Sequence, residues 1–182
     1  MEIEKLSIPE LILIKPQVFA DERGYFFESF NEEKFAQKSG VGVNFVQDNE
    51  SLSNCGVLRG LHFQNPPYAQ GKLVRVIRGS VQDVAVDIRR NSPTFGQHFS
   101  VILSGENKYQ LYIPEGFAHG FLVLEDHTIF SYKCTNFYHR ESESSLKWND
   151  PDLHIVWGIN APVLSEKDRN TAVTWKSFET HF

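Results

Sequence analysis

What most constrains this chain is the alternation of apolar and polar residues in short runs through its middle. In VAVDI, Val84, Val86 and Ile88 share one face and Asp87 takes the other, the pattern of a half-buried strand. In FSVILSGENKYQLYI, Phe99, Val101 and Leu103 alternate, Ser104–Asn107 supplies a turn, and Tyr109, Leu111 and Ile113 resume the period. HTIFSYKCT repeats it, with Thr128, Phe130, Tyr132 and Cys134 on one side. Residues two apart on a strand point the same way, so each run can coat one wall of a core. Many short strands with turn residues between them predict a mainly β fold, an antiparallel sandwich or barrel. Composition agrees: 15 Phe, 6 Tyr and 3 Trp stand against one Met, and aromatic rings fit a pleated surface.

Helix is expected in two places only. NEEKFAQKSG has Asn31 as N-cap, acids in the first turn and Gly40 as a stop, and Ser165–Arg169 can form one capped turn. No repeat or low-complexity linker divides the 182 residues, so one domain spanning 1–182 is expected. The net charge of −5 argues against nucleic acid as a partner, which would require a broad basic face. The opening MEIEKLSIPELILIK carries acids and lacks a long apolar run, so neither a signal peptide nor a membrane span is expected, and the cytoplasm is the expected location. Cys55 and Cys134 lack C-x-x-C spacing and read as two reduced thiols.

The stretch GVLRGLHFQNPPYAQGKLVRV (Gly56–Val76) sets Arg59, His62 and Lys72 among apolar residues. Taking an ion out of water is costly, so these groups either point outward or line a cavity built around an anion. A metal site is the first chemistry to weigh. His119 in IPEGFAHGF resembles the second metal motif of the cupin superfamily, but the first motif would supply His-x-His and a Glu. Here that region offers His62, Phe63, Gln64 and then Lys72, and three or four ligands are needed, so no metal is expected.

What remains is a proton-transfer set. His62 can accept a proton near neutral pH if an acceptor orients its other ring nitrogen. Lys72 can hold a developing oxyanion, and Tyr132 can donate a proton. Together they suit abstraction of a proton beside a ketone. Each also has a purely structural reading: a hydrogen-bonded histidine, a snorkelling lysine, a packed tyrosine. Asp168 fits a capping box begun by Ser165, and Arg59 fits a surface ion pair. Spacing alone leaves these alternatives open.

The motifs DERGYFFESF, FVQDNES, LRGLHFQNPPYAQGKLVRVIRGSVQDVAVDIR, SPTFG, IPEGFAHGF and WNDP, spread from Pro16 to Asp168, closely resemble the dTDP-4-dehydrorhamnose 3,5-epimerase family. The resemblance implies a cupin-type jelly-roll barrel that inverts C3 and C5 of a dTDP-4-keto-6-deoxyhexose with no metal or organic cofactor. It implies His62 as the base, Asp168 as its dyad partner, Tyr132 as proton donor and Lys72 beside the C4 oxygen. It assigns Arg23, Arg59 and Lys167 to the nucleotide diphosphate and sugar. Glu28, Gln47, Asn49, His119 and Glu143 become further substrate contacts, and Tyr138 the ring that stacks on thymine. It also implies a homodimer in which an N-terminal strand crosses to the partner's site. Asn136, His139 and Gly158 stand where the family resemblance leads one to expect Asp, Pro and Pro. The competing expectations are epimerisation at C3 alone, a metal-dependent cupin oxygenase, and a non-catalytic nucleotide-sugar binding module.

Overall fold

A computed structural model describes residues 1–182. Its thirteen strands are β1 (Glu2–Lys5), β2 (Ile12–Lys15), β3 (Phe19–Asp21), β4 (Gly24–Phe26), β5 (Gln47–Ser53), β6 (Leu58–Gln64), β7 (Lys72–Arg78), β8 (Ser80–Asp87), β9 (His98–Ser104), β10 (Gln110–Ile113), β11 (Phe117–Val123), β12 (Thr128–Cys134) and β13 (Glu143–Ser145). They form a six-stranded sheet in the order β1-β2-β10-β7-β12-β5 and a five-stranded sheet in the order β13-β6-β11-β8-β9. All ladders within the two sheets are antiparallel. The two sheets share a core: Leu13, Val74, Leu111 and Phe130 from one meet Val81, Ala85, Phe117 and Phe121 from the other. This is the jelly-roll barrel that the alternation and the family resemblance led us to expect.

The two expected helices are present. Helix α1 (Glu32–Ser39) starts where Asn31 Oδ1 accepts the Lys34 N–H at 2.9 Å, and stops at Gly40, whose φ of 74° suits a residue with no Cβ. Its buried Phe35 packs with Ile12, Ile14, Leu73 and Tyr112 and covers the outer face of the six-stranded sheet. Helix α2 (Glu166–Asn170) begins at Ser165.

Strand β8 departs from the sequence reading. Val84 and Val86 do share a face opposite Asp83, Ala85 and Asp87, but both faces are buried. The outer face lies under Leu146, Leu153, Trp157 and Phe178 from the C-terminal segment, which alternation within β8 cannot announce. The buried Asp87 carboxylate accepts from Arg89, Ser92 and Thr94 at 2.5–2.9 Å. Burial drives its pKa upward, but these donors prevail and hold it below the usual carboxylate range.

Strands β3 and β4 pair only with each other, as a hairpin outside both sheets. Phe19 is 57% exposed there and Phe26 70%. Cys55 and Cys134 are both unpaired, and no helix is long and apolar enough to cross a membrane.

Candidate active site

The site begins with an irregularity in β6. In a regular strand Arg59 and His62, three apart, would point to opposite faces. Here Arg59 stands opposite Phe121 and His62 opposite His119, with the register broken between the two pairs. Four residues of β6 therefore face three of β11, a β-bulge that turns both side chains to the barrel interior. Gly60 makes this possible. Its φ is 132°, and a Cβ at that position would lie 2.4 Å from the Gly120 Cα.

Beyond the bulge, His62 and Gln64 face inward, paired with Ser145 and Glu143 of β13. The facing wall comes from the six-stranded sheet. Tyr132 of β12 sits between Asn49 of β5 and Val74 of β7, and Cys134 sits between Gln47 and Lys72. The walls enclose an open cavity of about 240 Å³, lined among others by Gln47, Asn49, His62, Lys72, Tyr132, Tyr138 and Glu143.

His62 Nε2 lies 2.5 Å from Oδ1 of Asp168, which arrives on α2 from 106 residues away. A carboxylate cannot donate, so Nε2 carries the hydrogen and Nδ1 is left as the basic nitrogen. The other Asp168 oxygen accepts from the Ser165 hydroxyl at 2.8 Å, while Ser165 Oγ accepts the Asp168 N–H at 3.1 Å. The cap and the dyad, alternatives in the sequence, are thus one arrangement: the turn capped by Ser165 aims the carboxylate at His62. Burial pushes the Asp168 carboxyl up, but His62 and Ser165 outweigh it and hold the pKa below the ordinary value.

On the opposite wall the Lys72 ammonium has no hydrogen-bond partner in the protein. Burial pulls its pKa down, only partly opposed by Cys134, Asp83 and Glu143. Burial also pushes the Tyr132 phenol up, which keeps it protonated and able to donate. At the cavity mouth Glu143 accepts from the Tyr138 hydroxyl at 2.7 Å and pairs with Lys167.

Six expected site residues do not line the cavity: Asp168 and Lys167 reach it only through His62 and Glu143, and four others lie elsewhere. His119 is buried in the five-stranded sheet, its Nε2 2.9 Å from Asp83. Arg59 meets the hydroxyl of Ser53 at 3.2–3.3 Å, not a surface acid. Arg23 pairs with Asp21 at the tip of the β3–β4 hairpin, and Glu28 with Lys34.

The sequence model of dTDP-4-dehydrorhamnose 3,5-epimerases matches residues 5–176. A curated relative of that name from Shigella flexneri is 55% identical over 170 residues, covering 93% of this chain and 94% of its own. The crystal structure of the enzyme from Elizabethkingia anophelis superposes with a TM-score of 0.92 at 53% identity, over 97% of both chains. The chain belongs to the dTDP-4-dehydrorhamnose 3,5-epimerase family. Another member, a dTDP-6-deoxy-D-glucose-3,5-epimerase from Legionella pneumophila solved with dTDP-4-keto-L-rhamnose, has a TM-score of 0.90 at 53% identity, over 94% of this chain and 92% of that one.

Against this family frame, sequence reasoning missed Phe63, Gln64 and Gln70 in the cavity lining. Gln64 had a usable signal, since it lies two residues beyond His62 on one strand and must share its face. Gln70 sits in a loop, where no periodicity applies. No three His, Cys, Asp or Glu side chains converge as a group able to hold a metal ion.

Proposed function

We propose that this chain epimerises dTDP-4-dehydro-6-deoxy-D-glucose at C3 and C5, without a metal or organic cofactor, to give dTDP-4-dehydro-β-L-rhamnose. The observation that carries the reading is Lys72: a desolvated ammonium with no protein partner, facing a cavity with a His–Asp dyad on one wall and a phenol on the other. A buried cation costs free energy unless an anion meets it, and an enolate is such an anion.

In this mechanism Nδ1 of His62 takes the proton from the carbon beside the C4 ketone. The C–H electron pair becomes a C=C bond, and the C4 oxygen becomes an enolate beside Lys72. Asp168 stabilises the resulting imidazolium. Tyr132 then protonates the same carbon from the opposite face; its phenolate recovers a proton from water at the open mouth, and the imidazolium gives its proton to the hydroxide left behind, which restores both groups for the second centre. C3 and C5 both flank C4, so one cation serves both centres. Tyr138 stacks on the thymine, Arg59 and Lys167 hold the diphosphate and sugar, and Gln47, Asn49 and Glu143 make further substrate contacts.

Deuterated water tests the reading. The protein should place solvent deuterium at both C3 and C5 and invert both, as read by NMR of the product. Label and inversion at C3 alone would make it a 3-epimerase. Tyr132→Phe should still exchange, with retention, while inversion slows by roughly 10²–10⁴-fold. Inversion of both centres by this variant at the unaltered rate would remove Tyr132 from the mechanism.

The active form in this reading is a homodimer. The β3–β4 hairpin crosses to the partner and carries Arg23 and Glu28 to its cavity. In support, the hairpin has no place in either sheet of its own chain, and it exposes Phe19, Tyr25 and Phe26. Light scattering at assay concentration should give a dimer, and a fully active monomer would refute the crossing.

A further inference from the structure

Tyr138 is a loop residue, 54% exposed, yet its position is defined from three sides. Its phenol donates to Glu143, and its own N–H donates to Oε1 of Gln47 at 3.0 Å. The third hold comes from Gln64, which is 4% exposed on the inner face of β6, two residues after His62. Gln64 Nε2 donates to the Phe137 carbonyl at 3.2 Å, and its Oε1 accepts the His139 N–H at 2.8 Å. One carboxamide thus bonds the peptide groups on either side of Tyr138, as a neighbouring strand would. A second bond from Nε2, 2.6 Å to the Tyr68 carbonyl, anchors the loop after β6 to the same group. Both ends of this amide are engaged with backbone, so its geometry serves the loop.

From this we infer that Gln64 is a positioning residue that sets Tyr138 relative to His62 and so helps determine affinity for the nucleotide half of the substrate. Strand β6 presents the base at one residue and, two residues on, grips the loop bearing the stacking ring. A shift of that loop would move the thymine relative to the atom that takes the proton. The inference rests on the proposed role of Tyr138, and the two can fail separately.

The test is dTDP binding by calorimetry to four proteins: unaltered, Gln64→Glu, Tyr138→Ala, and the double variant. Gln64→Glu has nearly the same volume and keeps the acceptor for the His139 N–H, but loses both donors. It should weaken dTDP by about tenfold, the effect of two neutral hydrogen bonds. In turnover it should raise KM more than it lowers kcat. Against a Tyr138→Ala background the same change should add less than about twofold, because the ring it positions is gone. Equal losses in both backgrounds, or a lowered melting temperature with dTDP affinity intact, would overturn the inference. If Tyr138→Ala binds dTDP normally, the stacking role itself has failed. Should Gln64→Glu not fold, hydrogen exchange on the unaltered protein decides: the His139 amide, which donates to Gln64, should be protected, and free exchange there would overturn the clamp.

Discussion

His62–Asp168 and His119–Asp83 are built from the same residue types, and the two histidines face each other in register on β6 and β11. Their surroundings differ. The His62 side chain is 28% exposed and that of His119 7%. Asp168 has a donor on each oxygen, whereas Oδ1 of Asp83 is buried with no partner. Burial pulls His119 below its ordinary pKa even with Asp83 beside it, and the charges of Lys72 and His62 act in the same direction. His62 is partly exposed and beside a buried carboxylate with a donor on each oxygen, whereas a proton on His119 would meet desolvation. In the proposed mechanism the same pair therefore accepts a proton where it lines the cavity, whereas within the wall burial disfavours protonating the imidazole.

The largest expected effect separates the two pairs by activity. His62→Ala should lower turnover by roughly 10³-fold or more with the fold intact. Asp168→Asn should cost roughly 10²-fold or more by loosening control of the His62 tautomer, and change melting little because Ser165 still caps the turn. Asp83→Ala should do the reverse. It leaves a buried imidazole N–H unpaired at about 1–3 kcal/mol of stability. Turnover measured beside thermal melting distinguishes them, and an Asp83→Ala protein that melts normally but does not turn over would break the comparison.

Lys72 sharpens the same contrast, since its half-buried ammonium lines the cavity with no partner in the protein to offset its desolvation. Lys72→Met should abolish most turnover and yet stabilise the protein by about 1 kcal/mol, as replacing an uncompensated buried ion often does. Denaturant unfolding checks it, and a less stable variant would mean the ammonium has a partner in the fold.

Acid gives the smallest effect. His119 and His98 are both lowered by burial, so the unfolded chain takes up their protons first. Their stabilisation is complete above the unfolded value near 6.5 and is lost as pH falls through the folded values. Asp168, Asp87 and Glu143 are likewise lowered, with stabilisation complete above about pH 4 and lost below it. Melting temperature should fall in two stages on acidification. His119→Gln should shrink the first stage only, leaving the share of His98.

Local sequence by itself determined strands β8, β9, β10 and β12, because a period of two is set by neighbours along the chain. It determined which faces of β9 and β12 turn inward, and the α1 caps at Asn31 and Gly40. Family resemblance then singled out seven of the ten residues that line the cavity, and missed Phe63, Gln64 and Gln70. Tertiary structure alone decided that β8 is covered on both sides, since the cover comes from a segment some 60 or more residues later. It decided that Arg59 and His62 share a face, which local periodicity denies and the bulge at Gly60 permits. It also joined cap and dyad at Asp168. Alternation reports only which way a side chain points from its own strand, whereas partners 106 residues apart are chosen by how two sheets and a C-terminal turn pack, and no local pattern carries that information.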